Sequence, residues 1–320
     1  MKNILLLSIG LVILAPKAYG CDVCGCKLGG YSMGILPQFD NHFIGLRYSH
    51  ASFNAYIDNR LTEDEFSNDT YRRIDLIGRY SLSSKVQLSF MLPFISNDMD
   101  GNVQSVESQG IGDPMVLINY NLWNNADNPG SLWNHSLLVG GGIKLPFGDD
   151  DKLDNDELIN RNFQLGTGSV DYVFSLNYAV RRQNIGLNLE SAYQINGTND
   201  VDYTFGNQFN ASLYTFYWWQ RPNFVLLPYL GGYFEKAQKH YDGDIEQVNT
   251  GGKALFATTG LQLMVGRFML DARYQAPLYQ QFNAEEIVSI ESDDRYTVGV
   301  NFSIGKRKKS NRKNIDKLYN

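Results

Sequence analysis

Cys21, Cys24 and Cys26 lie within the stretch CDVCGC, and the 320-residue chain holds no other cysteine. Thiolates are soft ligands, and three sulfurs in a glycine-containing segment can converge on one ion. Cu(I) or Zn²⁺ ligation is therefore one reading. A Cys21–Cys24 disulfide is a second, although it leaves one thiol over. Acylation of Cys21 is a third, although Ala18-Tyr19-Gly20 makes a poor lipobox.

A second set of chemically capable residues is scattered through otherwise apolar segments. Arg47, Asp75, Arg79, Asn119, Lys144, Asp171, Asn177, Arg181, Asn188, Glu190, Asp271 and Arg273 all fall on the polar side of an alternating pattern. Ionisable groups at bilayer depth are tolerated only where they face water or one another. Such residues imply either a polar conduit whose charges filter solutes or an interior plugged by paired charges.

Other constellations are weaker. Asp149, Asp151, Asp154 and Asp156 in DDDKLDNDE resemble a Ca²⁺ loop only in acidity, because the turn glycine and the spaced glutamate are missing. His135 and Ser136 are adjacent, so on a strand they point to opposite faces. His50 and Ser52 share a face, but no acid is evident beside them to orient the imidazole. The chain does not read as an enzyme.

The elements that must position these groups follow from composition and periodicity. The first twenty residues carry Lys2, an apolar run from Ile4 to Ala15 and a small-x-small site at Ala18-Tyr19-Gly20. This is the pattern of a cleaved signal peptide. No other segment is long and apolar enough for a membrane-spanning helix, which excludes a polytopic helical protein. The chain has 20 Tyr, 18 Phe and 30 Gly beside four His. In 295–305, Tyr296, Val298, Val300, Phe302 and Ile304 alternate with Thr297, Gly299, Asn301 and Ser303. Period-2 alternation gives a strand one apolar and one polar face.

Twelve such strands are predicted, at 42–56, 71–82, 85–96, 111–123, 133–147, 163–181, 184–195, 205–219, 223–237, 253–265, 268–282 and 295–305. Tight turns fall at Ser83-Ser84, Arg182-Gln183, Arg221-Pro222 and Gly266-Arg267, with a longer turn at 124–132. Long loops fall at 57–70, 97–110, 148–162, 196–204, 238–252 and 283–294. The six long loops hold 24 of the 34 acidic residues and 4 of the 28 basic ones, so they share one side. Trp123, Trp133, Trp218 and Trp219 flank short turns, as an interfacial aromatic girdle would. The fold class is all-β: a transmembrane antiparallel up-and-down barrel of about twelve strands, with long loops outside the cell and both termini in the periplasm. The segments are then a signal peptide at 1–20, a periplasmic cysteine-containing stretch at 21–40, the barrel at 41–305 and a basic tail at 306–320. The partners expected are outer-membrane lipids and small solutes, not nucleic acid.

Three stretches, GIGDPMVLINYNL (110–122), LLVGGGIKLPFGD (137–149) and FQLGTGSVDYVFSLNY (163–178), resemble the outer-membrane transporter family named after the phenol meta-cleavage pathway. The resemblance implies a barrel and passive transport, and it names no solute. An alternative is a non-conducting barrel that anchors the cysteine segment as a periplasmic metal-binding or interaction module.

Overall fold

The computed structural model describes residues 42–58, 63–125, 131–154 and 156–304. Twelve long antiparallel strands dominate it: β1 (Phe43–Ile57), β2 (Glu65–Ser81), β3 (Val86–Gly101), β4 (Met115–Asn124), β5 (Trp133–Lys144) and β6 (Asp171–Arg182). They continue as β7 (Ile185–Ile195), β8 (Gln208–Tyr217), β9 (Phe224–Ala237), β10 (Gly252–Val265), β11 (Phe268–Phe282) and β12 (Arg295–Ser303). Each strand pairs with its neighbours in sequence, and β12 pairs with β1 from Phe43↔Ser303 to His50↔Tyr296. The sheet is thereby closed. Closure satisfies the backbone donors and acceptors of every long strand within the wall, which a bilayer core requires.

The burial pattern is inverted relative to a water-soluble protein. In β12, Val298 is 53% exposed while Asn301 is 6% exposed, and the same reversal pairs Leu187 at 45% with Asn188 at 0%. Apolar side chains cover the outside and polar ones line the inside. That arrangement is stable only where the surrounding solvent is lipid.

Several predicted boundaries move. The strand expected at 163–181 begins only at Asp171, because a 3-10 turn at Arg161–Phe163 and Gly168, with φ of +68°, interrupt the extended chain. Loops expected at 57–70, 97–110 and 283–294 contain stretches of strand. There β2 starts at Glu65, β3 runs to Gly101, Ser105–Ile111 pairs with the end of β3, and Val288–Ser292 pairs with the end of β1. Both faces of these extensions carry polar residues, so hydrophobic alternation does not announce them. The loops at 196–204 and 238–252 contribute Tyr203–Thr204, Tyr241–Asp242 and Ile245–Glu246 to a small three-stranded sheet. Trp123, Trp133 and Trp219 are exposed on the outer surface, as a girdle requires. Trp218 is not part of it: its ring is buried, packed beneath the Arg181 guanidinium at 4.7 Å.

One irregularity positions the site. β4 pairs with β3 only over Val86–Met91, while Ser105–Ile111 takes over from Phe94 to Asp100. Gly112, Asp113 and Pro114 lie at the break. Met115, Lys144 and Asp171 stand in register with one another, so β4 begins, β5 ends and β6 begins at one level.

Candidate functional site: ionic groups on the inner wall

At that level the three sequence motifs meet. Lys144 Nζ lies 2.9 Å from Asp113 Oδ2 and 2.5 Å from Asp171 Oδ2, and it donates to Thr167 Oγ1 at 2.8 Å. Asp113 also accepts backbone N–H bonds from Phe147 at 3.1 Å, Gly148 at 3.0 Å and Thr167 at 2.9 Å. Asp171 accepts from Ser169 Oγ at 2.8 Å and from the Gly197 N–H at 3.0 Å. Glycine is needed where these loops touch. A Cβ on Gly166 would stand 2.2 Å from the Gly148 carbonyl oxygen, and one on Gly148 2.6 Å from the Leu165 carbonyl. The ion cluster therefore clasps the loops at 145–150 and 164–170 onto the strand ends. Every charge in it is paired and hydrogen-bonded, the condition under which buried charge is tolerable.

A second ionic group crosses the wall from β1 and β2 to β11. Arg47 donates to Asp75 Oδ2 through Nε at 3.0 Å and Nη2 at 2.8 Å, and Arg73 Nε lies 2.9 Å from Asp75 Oδ1. Arg79 sits below them with its guanidinium 5.0 Å from the Phe43 ring. Arg273 on β11 is within electrostatic reach of Asp271, of Glu190 on β7 and of the hydroxyls of Tyr214 and Tyr229. Here side chains hold side chains, with no loop backbone involved in the bonds between Arg47 and Asp75. Asp271 Oδ2, Arg273 Nε, Asn188 Oδ1 and the Tyr214 hydroxyl are buried without a hydrogen-bond partner. Amides and hydroxyls fill the inner wall beside these charges. Asn119 donates to Ser89 at 3.1 Å, and Asn177 donates to Glu190 at 2.8 Å.

Toward the long-loop end the interior turns aromatic. Phe53, Tyr71, Phe163 and Phe282 pack in sequence, with ring centroids 5.7, 5.2 and 6.2 Å apart for Phe53–Tyr71, Tyr71–Phe163 and Phe53–Phe282. Arg295 forms a two-pronged pair with Glu235, both contacts at 2.9 Å, and lies 4.2 Å above the Phe256 ring.

The charged residues singled out from the pattern thus fall on one inner face, but in two groups. Lys144 and Asp171 belong to the motif cluster; Arg47, Asp75, Asp271, Arg273 and Glu190 belong to the ionic wall, with Arg79 and Arg181 nearer the short turns. Arg73 completes the ionic wall and Asp113 the motif cluster, while Glu235 and Arg295 form a separate pair at the aromatic end; the alternating pattern singled out none of the four. Arg73 shares the parity of Asp75, and Arg295 that of Thr297, so alternation alone could have found both. Cys21, Cys24 and Cys26, and the segment on which the anchor alternative rests, lie outside the described residues. Among the described residues no group of three or more His, Cys, Asp or Glu could hold a metal, so Asp149, Asp151, Asp154 and Asp156 do not assemble a Ca²⁺ site. Ser52 donates to Asp293 at 3.1 Å, whereas His50 stacks on Tyr296 at 4.6 Å. That is not a relay for hydrolysis.

An outer membrane channel from Pseudomonas putida F1 is similar in structure, with a TM-score of 0.61 at 15% identity, over 82% of this chain and 96% of that one. The β domain of a Bordetella autotransporter gives a TM-score of 0.48 at 11% identity, over 83% of this chain and 100% of that one. No curated protein matches the sequence. The first likeness establishes the fold, that of an outer-membrane barrel. Residues 62–281, which contain all three motifs and the cluster they build, match the model of the family described as the putative MetA-pathway of phenol degradation, and the chain belongs to that family.

Proposed function

We propose that this barrel is a passive channel that carries small solutes across the outer membrane. The observation that supports the reading is the inner wall: within a closed, lipid-facing barrel, the ionic group around Arg47 and Asp75 extends to Asp271 and Arg273, whose Oδ2 and Nε have no hydrogen-bond partner. Interior residues that served packing alone would be apolar or saturated. Polar atoms held ready replace part of a solute's hydration shell as it passes. Asp75 and Asn188 at 0% exposure and Gln87 and Gln262 at 1% are covered by neighbouring side chains, so in this reading solutes pass only as those side chains give way, and small solutes and a small conductance are expected. Arg79 and Arg181 stand near the short-turn mouth, where the first charges met from the periplasm would be positive.

In this reading the acidic loops face the outside and both termini the periplasm. Planar-bilayer conductance and liposome swelling with the purified, folded protein test the function. Folded protein that passes neither ions nor small neutral solutes overturns it. Protease added to intact cells tests the orientation: cleavage is expected within 57–70 or 148–162, and cleavage of the 306–320 tail would reverse the topology.

A further inference from the structure

The outer surface changes character toward the long-loop ends of β9 and β10. Leu230, Leu255, Leu261 and Val265 are exposed on the lipid face, and on that same face the strands carry Lys236 and Lys253. Register places the two lysines directly opposite one another, with Phe209 beside Lys236 on β8 and Gln281 beside Lys253 on β11. Like charges directly opposite in an antiparallel pair repel. The acids nearby are engaged elsewhere: Glu235 faces inward to Arg295, and Glu246 holds Lys239 at 2.7 Å. Among the described residues no acid lies within ion-pair distance of Lys236 or Lys253, whereas Arg72, an outward-facing cation of β2, is paired with Asp98.

Gln281 adds a donor to the row. The Tyr279 hydroxyl donates to its Oε1 at 2.8 Å, which takes up the amide oxygen and leaves the N–H groups. The Lys253 ammonium stands 5.8 Å from the centre of the same Tyr279 ring. The row also lies at a membrane boundary. Trp219, in the short-turn girdle, pairs with Leu226 on β9, and Lys236 is ten residues farther along that strand. Strand that rises about 3.3 Å per residue at a tilt of about 40° climbs roughly 25 Å over this length, the height of an outer-membrane apolar band. Tyr193 and Phe209, opposite one another in the same row and exposed on the outer surface, mark the boundary as interfacial aromatics do.

We propose that Lys236, Lys253 and Gln281 form a site on the outer wall for the phosphate of a phosphorylated, acylated sugar lipid of the outer leaflet. The two ammonium groups and the amide donate to the phosphate oxygens, which turns the repulsion between the lysines into shared attraction. The lysine stems lie along the apolar wall, and the acyl chains run down over Phe234 and Leu255, which stand opposite one another below the row. The proposal rests on the long loops facing outside, and on no property of the lumen.

The test uses the full mature chain folded in detergent micelles, with retained lipid counted by native mass spectrometry. Diphosphoryl lipid A is expected to bind saturably, with phosphate-free lipid A and phosphatidylglycerol at least tenfold weaker. Lys236→Gln/Lys253→Gln removes a repulsive pair, so it should fold at least as well as the native protein, as heat-modifiable electrophoretic mobility will show. It should weaken diphosphoryl lipid A binding by roughly tenfold or more, while Lys85→Gln/Arg267→Gln, which removes two charges at the short-turn end, should leave it unchanged. Equal binding in Lys236→Gln/Lys253→Gln, an equal loss in the short-turn variant, or phosphate-free lipid A or phosphatidylglycerol binding as tightly overturns the site. Absent binding in a protein that still passes solutes in liposome swelling overturns the site and leaves the channel standing. Cleavage of the 306–320 tail in intact cells would turn this row to the inner leaflet and overturn the partner, whatever the protein conducts.

Discussion

Two buried ionic groups share the inner face of this barrel and differ in what holds them. In the cluster of Asp113, Lys144 and Asp171, backbone N–H groups of Phe147, Gly148, Thr167 and Gly197 donate to the carboxylates, so loops are tied down by charge. In the ionic wall of Arg47, Asp75, Asp271 and Arg273, strand side chains meet strand side chains, and Asp271 Oδ2 and Arg273 Nε lack partners. The first arrangement is saturated and serves the fold. The second keeps unpartnered polar atoms and, in the proposed channel, is the group that meets solute. Charge inside a barrel is therefore not one kind of feature, and the family motifs mark the structural kind.

The sharpest way to break this contrast is to cut the saturated cluster. Asp113→Ala leaves Lys144 with Asp171 as its one counter-charge in the cluster and frees the loop N–H groups of Phe147, Gly148 and Thr167, so it should cost about 3–5 kcal/mol. Denaturant titration of the barrel in lipid measures it, and a cost below about 1 kcal/mol would show that the motifs do not clasp the fold.

Next in size is a test that the two faces are correctly distinguished, on which the whole comparison depends. Arg at Leu187, on the lipid face, should cost about 2–4 kcal/mol if the site lies near the midplane, and Arg at Asn188, on the lumen face, much less. Equal losses in the same titration would mean that the register is wrong.

A smaller effect is expected where the clasped loop turns. Gly168 has φ of +68°, and a Cβ there would stand 1.9 Å from Asp150 Oδ2. Gly168→Ala should cost about 1–2 kcal/mol through the left-handed backbone, with the carboxylate swinging aside. No measurable loss would place the clasp elsewhere.

The smallest stability effect is expected in the open group. Asp271→Asn should change unfolding free energy by less than about 1 kcal/mol, yet shift the reversal potential in a salt gradient toward anion preference. A large stability loss with unchanged selectivity would make the ionic wall structural too.

Much of this molecule is legible in its residues. The period-2 alternation in segments such as 184–195 and 295–305 specifies both the strands and their faces, because successive side chains must point to opposite sides. The alternation of short turns and long loops specifies an up-and-down order. The inward placement of Arg47, Asp75, Lys144, Asp171 and Arg273 follows from parity alone. Parity equally includes Arg73 and Arg295, which lie inside the strands expected at 71–82 and 295–305. The extensions at Ser105–Ile111 and Val288–Ser292 were not legible, because beyond the bilayer the outer face no longer has to be apolar.

Partnership was decided only by the closed wall. Asp113 and Thr167 are 54 residues apart in the chain, and nothing local draws one toward the other. They meet because lateral pairing of β4, β5 and β6 brings Met115, Lys144 and Asp171 to one level, where the chain leaves the sheet. Alternation tells which way a side chain points, but which charges face each other across the lumen depends on strand register and barrel stagger, and those are properties of the assembled sheet.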